Sequence, residues 1–219
     1  MIRVVLADDQ ALVREGFRLI LEVEPDIDVV GEAADGAEVI DTTRKLNADV
    51  VLMDIQMPGI DGIEATRRIS RAGLRARILV LTTFDREDYV YEAMRAGASG
   101  FLLKDIRREQ LVDAIRTVAA GDALLAPVLL KRLIEDLCRR PAPSQGRPSQ
   151  LAELSDRELQ VLTLVARGLA NTDIARELFL GEATVKTHLA NTLRKLGLRD
   201  RVQAVIAAYE CGLIRPGDA

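Results

Sequence analysis

The chain has 219 residues, of which 48% are hydrophobic and 29% charged. That excludes a disordered, collagen-like or low-complexity chain and leaves room for one large domain or two small ones. Aromatic residues make up only 3% and Trp is absent, so the core is Leu, Val, Ile and Ala, while the net charge of −4, taken whole, counts against a nucleic-acid binder.

In chain order, short apolar runs over residues 3–7, 29–33, 49–53, 77–81 and 100–103 read as five strands. They alternate with amphipathic helices near 11–23, 37–46, 61–72, 86–96 and 107–120. Nearly all-apolar strands alternating with helices define an α/β doubly wound five-stranded parallel sheet covered on both faces. A bridging helix is expected over 127–139, and the Pro/Ser/Gly/Gln-rich run over 139–150 reads as a linker. Beyond it no strand pattern returns. Helices over 155–167, 171–179, 182–196 and 200–210 make an all-α domain. The expected organisation is therefore a first domain over 1–120, a linking segment over 121–150 and a second domain over 151–219. Their net charges are −6 (16 basic, 22 acidic), +2 (5 and 3) and zero (9 and 9), so the whole-chain charge averages unlike objects.

Two cysteines, Cys138 and Cys211, exclude a disulfide framework or a four-thiolate zinc site, and the single His188 has no histidine partner for a metal. No apolar run reaches the ~18 residues of a membrane span. The apolar start meets acid at Asp8, too soon for a signal peptide. A cytoplasmic protein with no membrane partner is expected.

Ligands of an open parallel sheet bind beyond the carboxyl ends of its strands. There strand 1 runs into Asp8 and Asp9, strand 3 ends at Asp54, strand 4 at Thr82 and Thr83, and strand 5 at Lys104. One carboxylate at a strand end is ordinarily a solvated loop residue or a helix cap; polar groups at four ends of the same edge form a set. Three converging carboxylates repel, so a cation is implied, and oxygen-only ligands suit Mg²⁺. Lys104 is placed to hold an anion beside it.

Asp8-Asp9, the block from Val51 through Asp54, Met57-Pro58 and Gly62, Leu81-Thr82-Thr83-Phe84 and Phe101-Leu102-Leu103-Lys104 resemble the receiver domain of bacterial response regulators, a flavodoxin-like fold. The resemblance implies that Asp54 accepts a phosphoryl group from a sensor histidine kinase. It implies Mg²⁺ on Asp9, Asp54 and the Gln56 backbone carbonyl, with Asp8 acting through water. Lys104 then pairs with the phosphoryl group, Thr82 hydrogen-bonds it, and Phe101 takes the place of a rotating switch aromatic. Three departures stand out. Asp105 follows Lys104 where many receivers have proline, which disfavours a cis peptide there; Thr83 is bulkier than the usual residue; and Gln56 and Phe84 flank the phosphate site.

Further on, Ser155-Asp156-Arg157-Glu158 is a capping box, Gly168 ends that helix, and helices 171–179 and 182–196 joined through Leu180-Gly181 match a helix-turn-helix. At 100° per residue Val185, Leu189, Leu193 and Leu196 share one face of the last helix. Thr184, Thr187, Asn191 and Arg194 lie opposite, with Lys186, His188 and Lys195 on the flanks. Such a polar face is that of a surface helix, and also what base edges and phosphates require. Leu154 through Glu158, Thr184-Val185-Lys186-Thr187-His188, Lys195-Leu196-Gly197 and Asp200 through Ala204 resemble the LuxR-type DNA-binding domain.

With the receiver in front, the chain resembles a NarL/FixJ-type response regulator. The likeness implies double-stranded DNA read by helix 182–196, with Thr184, Lys186 and Thr187 near bases and Asn171, His188 and Lys195 near phosphates. It implies that the unphosphorylated receiver masks the recognition helix or helix 200–210, and that phosphorylation releases the DNA-binding domain and promotes a homodimer paired through Val202, Val205, Ile206 and Tyr209. Ala170 and Gly181 stand where capping Ser or Thr is common, with Asn171 and Asp173 as stand-ins at the first; modest monomer affinity for DNA is expected. Two alternatives remain: a regulator gated by a ligand or partner instead of phosphate, and an aspartyl-phosphate hydrolase, which ordinarily carries its nucleophile after strand 1.

Overall fold

The computed structural model describes residues 1–82, 89–121, 124–125 and 149–214. The chain divides into two compact units, residues 1–131 and 132–219.

In the first unit, strands β1 (Ile2–Ala7), β2 (Ile27–Ala33), β3 (Val50–Asp54), β4 (Arg77–Thr82), β5 (Gly100–Leu103) and β6 (Leu124–Leu125) form one parallel sheet in the order β2-β1-β3-β4-β5-β6. Between them run α1 (Ala11–Leu21), α2 (Gly36–Leu46), α3 (Gly62–Arg71), α4 (Val90–Ala96) and α5 (Arg108–Ala119). β3 is buried at every position because both its faces are covered. Alternate strand residues Val4, Leu6, Leu52, Leu79 and Leu81 pack against Leu21 of α1 and Leu111, Ile115 and Val118 of α5. On the other face α2, α3 and α4 lie side by side. Asp35 caps α2 through the amides of Ala37 and Glu38 at 2.8 and 2.9 Å, and Asp61 caps α3 through that of Glu64 at 2.7 Å.

The five expected strands are present, and a sixth extends the sheet. Leu124 and Leu125 pair with Gly100 and Phe101 inside the segment expected to be linker. Two apolar residues carry no periodicity, so only the exposed edge of β5 could have announced them. The expected helix over 127–139 lies outside the described residues, as do Thr83, Phe84, Cys138 and the first residues of the helix expected over 86–96. The Lys104–Asp105 peptide is trans.

The described part of the second unit begins with a 3-10 turn (Ser149–Glu153) and continues as α6 (Asp156–Ala166), α7 (Asn171–Glu177), α8 (Glu182–Leu196) and α9 (Arg201–Glu210). Its core gathers Val161, Leu162 and Val165 of α6, Ile174 of α7, Val185 and Leu189 of α8, and Ala204, Val205 and Ala208 of α9. The Ser155–Glu158 capping box forms in full. α7 ends two residues short of expectation, because Phe179 adopts φ +55° and closes it.

Candidate functional site

At the carboxyl edge of the sheet β1 delivers Asp8 and Asp9, and β3 delivers Asp54. Asp8 and Asp54 are buried while Asp9 is exposed. One carboxylate oxygen from each of the three lies within 4.8 Å of the others. β5 delivers Lys104, whose Nζ sits 2.7 Å from Asp8 Oδ2 and 3.0 Å from Asp54 Oδ1. The Lys104 amide donates to the Thr82 carbonyl at 2.7 Å, which ties the ends of β4 and β5 together.

Burial, with help from the neighbouring Asp8 charge, pushes the Asp54 carboxyl above its ordinary range against the opposing pull of Lys104. For Lys104 burial works against the charge, but hydrogen bonds to Asp8 and Asp54 outweigh it and its pKa is raised. One ammonium thus serves two carboxylates, and the cluster keeps an excess of negative charge.

Backbone packing holds this edge. The Gly62 amide donates to the Ile55 carbonyl at 2.9 Å, and a Cβ on Gly62 would fall 1.9 Å from the Asp54 carbonyl oxygen. Only glycine lets the start of α3 come so close to the end of β3. Arg14, which carries no pattern in the sequence, donates from Nη1 to the Asp8 carbonyl at 2.6 Å and from Nε to Glu32 at 3.0 Å.

Of the other residues expected at this edge, Thr82 is buried at the end of β4. Gln56 is exposed and, with Asp9, Met57, Tyr89 and Glu92, lines an open cavity of 660 Å³. Phe101 is fully buried, aligned with Val80 and Leu125. A swing of its ring from solvent to interior therefore does not start from this arrangement.

In the second unit α8 turns Val185, Leu189 and Thr192 inward and leaves Thr184, Lys186, Thr187 and Arg194 exposed. His188 and Asn191 are half-buried at the edge of that face. Lys186 reaches Glu182 one turn back, 3.3 Å away, in an exposed pair that water and salt weaken.

Lys195 departs from expectation. Its ammonium lies 2.7 Å from Glu158 Oε2 and 3.1 Å from the Glu153 carbonyl. The Lys195 hydrogen bond and the Ser155 amide hold Glu158 at about 2. Lys195 is an internal tie, and the phosphate contact expected of it is withdrawn. Asn171 is engaged as well, through its Oδ1, by Arg201 at 2.9 Å; the same guanidinium donates to the Leu169 carbonyl. Asp173 pairs with Arg176, so neither stand-in caps α7, and Ala170 and Gly181 make no side-chain cap bond.

The expected pairing face is corrected too. Val205 belongs to the helical core, Val202 and Ile206 are buried, and Tyr209 packs against that core. In this arrangement of the single chain these side chains are covered, and pairing through them requires that they first be uncovered.

These features define a class: a parallel sheet with an acid cluster at its carboxyl edge, followed by a helix-turn-helix unit. Residues 4–116 match the family described as response regulator receiver domain, and residues 152–208 that of bacterial regulatory proteins, luxR family. The chain is 47% identical over 215 residues to the uncharacterized transcriptional regulatory protein YxjL of Bacillus subtilis, covering 98% of each. It is 42% identical to the transcriptional regulatory protein LiaR of the same organism, over 98% of this chain and 100% of that one. Among solved structures it is similar to the response regulator ChrA of a heme-sensing two-component system (42% identity, 97% and 98% covered, TM-score 0.54). It is also similar to RcsB in a structure of two dimers bound to two parallel DNAs (27% identity, 95% and 98% covered, TM-score 0.56).

The chain belongs to the response regulators with a receiver domain and a LuxR-type DNA-binding domain.

Proposed function

We propose that this response regulator is switched by phosphorylation of Asp54 and, so modified, pairs and binds promoter DNA. The observation that carries the reading is Lys104 held between Asp8 and Asp54 in a cluster with an uncompensated negative charge.

A carboxylate is a weak nucleophile, and phosphoryl transfer depends on positioning and charge neutralisation more than on base catalysis. Asp54 attacks the phosphorus of a phosphohistidine on a sensor histidine kinase; the P–N bond breaks and the imidazole leaves with its electron pair. Lys104 turns from Asp54 to an equatorial phosphoryl oxygen, and Thr82 donates its hydroxyl to another. The donor set fits a hard divalent cation: three carboxylate oxygens close together, no nitrogen or sulfur, and Asp9 facing solvent. Asp9, Asp54 and the Gln56 carbonyl would hold Mg²⁺, with Asp8 beside them. When bound, the ion supplies charge neutralisation at the phosphoryl oxygens.

The new charge is read at the ends of β4 and β5, where Thr82 and Lys104 are joined by a backbone hydrogen bond. Thr184, Lys186 and Thr187 contact bases, and Arg194, His188 and Asn191 line the groove edge. No helix among the described residues is long and apolar enough to cross a membrane, and action on DNA places the protein in the cytoplasm. The chain is a switch, not a turnover enzyme.

The test incubates the protein with Mg²⁺ and acetyl phosphate, locates the adduct by mass spectrometry and follows oligomeric state by light scattering. A single phosphoryl adduct on Asp54, accompanied by dimers, is expected. If Asp54→Ala still responds to the donor with dimers, the reading fails.

A further inference from the structure

Four helices of the second unit end in the same way. A residue with positive φ donates its amide to the carbonyl three residues back, and the following leucine donates to the carbonyl five back: Gly168 with Leu169, Phe179 with Leu180, Gly197 with Leu198, and Gly212 with Leu213. This is the Schellman closure, in which the left-handed position belongs to glycine because any Cβ there is strained. All four leucines pack against the helical core, so the repeated motif anchors each helix end. Three ends use glycine, at φ +85°, +64° and +66°; the end of α7 uses phenylalanine at φ +55°.

Across all described residues the one other non-glycine residue at positive φ is Asn47, a type that tolerates the conformation. Among the described residues nothing rewards the exception. Phe179 is 95% exposed, so its ring gains no burial in return for the strain. A strained backbone carrying a large, solvated apolar side chain points to a partner outside the chain.

Position identifies that partner. Phe179 lies two residues before Gly181, from which α8 starts, and the exposed Thr184, Lys186 and Thr187 follow within the first turns. When the second helix of a helix-turn-helix enters the major groove by its N-terminal end, the preceding turn rides on the strand at the groove edge. A neutral ring has nothing to offer a phosphate. It fits the apolar carbons of deoxyribose between phosphates.

We infer that Phe179 is a DNA-contact residue whose ring packs on the deoxyribose of the strand bordering the groove entered by α8. Glycine at this position keeps the helix closure and loses the contact. The residue therefore trades fold stability for DNA affinity, and it does so without sequence preference and without charge.

This rests on the reading of α8 as the DNA-facing helix, and the experiment separates the two. The full chain, treated with Mg²⁺ and acetyl phosphate, is titrated onto a fluorescein-labelled duplex pool of random sequence at several salt concentrations. Wild type, Phe179→Gly, Phe179→Tyr and Lys186→Ala are compared, with thermal melting and sedimentation of each. Phe179→Gly is expected to melt at the wild-type temperature or above it. It is expected to bind about tenfold more weakly, with an unchanged slope of log Kd against log salt. Phe179→Tyr keeps wild-type affinity, and Lys186→Ala weakens binding and lowers the salt slope by about one.

Undiminished affinity in Phe179→Gly beside a weakened Lys186→Ala overturns the Phe179 contact alone. Loss of affinity that follows a lowered melting temperature, or a loss of dimer with DNA affinity per dimer intact, overturns it too. If neither substitution changes binding, the reading of α8 fails with it.

Discussion

The two units place their working side chains in opposite ways. In the receiver, Asp8, Asp54 and Lys104 expose 5%, 7% and 16% of their side chains, and each hydrogen-bonds or pairs with another element. On α8, Thr184, Lys186, Thr187 and Arg194 are what remains once Val185, Leu189 and Thr192 have gone to the core. Phosphoryl chemistry gains from burial, because charge acts further where water is excluded. Reading DNA requires donors that give up their partners easily when the groove arrives: Lys186 pairs only with exposed Glu182, and Thr187 donates to the Ala183 carbonyl one turn back. The receiver site therefore ties its chemistry to buried, paired groups of the fold, whereas the exposed face of α8 does not. Substitutions in the first should move stability and activity together; in the second the two should separate.

The strongest test of that contrast is Gly62→Ala. With a Cβ 1.9 Å from the Asp54 carbonyl oxygen, the start of α3 and the end of β3 cannot both stay in place. A cost of about 3 kcal/mol in urea denaturation is expected, together with loss of phosphorylation by acetyl phosphate. An unchanged unfolding midpoint would break the link between fold and site.

Lys104→Ala comes next. It leaves two buried carboxylates facing each other, at a cost of about 3 kcal/mol in chelator. Added Mg²⁺ should raise the melting temperature of this variant more than that of the wild type, because the ion replaces the missing ammonium charge. Equal shifts in both proteins would show that Lys104 does not balance this cluster.

How far these sites can be read from residues alone follows from the same contrast. Strands that are apolar along their whole length announce their own ends, so Asp8, Asp54, Thr82 and Lys104 stand out as the first polar residues of their edges. Leu124 and Leu125 have no length in which to show a period. Apolar spacing in α9 marks Val202, Val205 and Ile206 as covered, but it does not say whether the cover is the same chain or another copy; here they are buried within one chain. A helical wheel puts Lys195 on the flank of α8 and is blind to Glu158 arriving from α6. Arg14 and Arg201 grip backbone carbonyls far away in sequence, at Asp8 and Leu169, and no local pattern encodes such a reach.

Lys195 also sharpens the contrast inside the second unit, because it and Lys186 lie on one helix with opposite allegiance. Lys195→Met should cost about 2 kcal/mol of stability by stripping a charged hydrogen bond from buried Glu158, whereas Lys186→Ala should cost almost nothing. The pair carries a pH signature. Glu158 sits at about 2 in the fold against an ordinary 4.5. Its contribution is therefore complete above about pH 4.5 and is lost as pH falls toward 2. Wild-type stability should drop across that window, and Glu158→Gln should flatten this part of the profile in acid titrations followed by circular dichroism. An unaltered slope in Glu158→Gln would assign the acid sensitivity to other carboxylates.

The smallest effects concern the uncapped helix starts. Ala170 and Gly181 both have extended backbone angles suited to a capping side chain, and neither makes the bond. At Gly181 a Cβ would meet only the Thr184 hydroxyl oxygen, at 3.8 Å, so serine fits without displacement. Glycine is already close to serine as a cap, and Gly181→Ser should add only a few tenths of a kcal/mol, whereas Ala170→Ser should add about 1 kcal/mol. The order matters more than the amounts. Arg201 already braces the entry to α7 through Asn171 and the Leu169 carbonyl. If that brace does the work of a cap, Ala170→Ser gains nothing in thermal melting until Arg201 is replaced by methionine, and the two substitutions become non-additive. Full additivity would show that the guanidinium positions the turn and leaves the free amides of α7 unsatisfied.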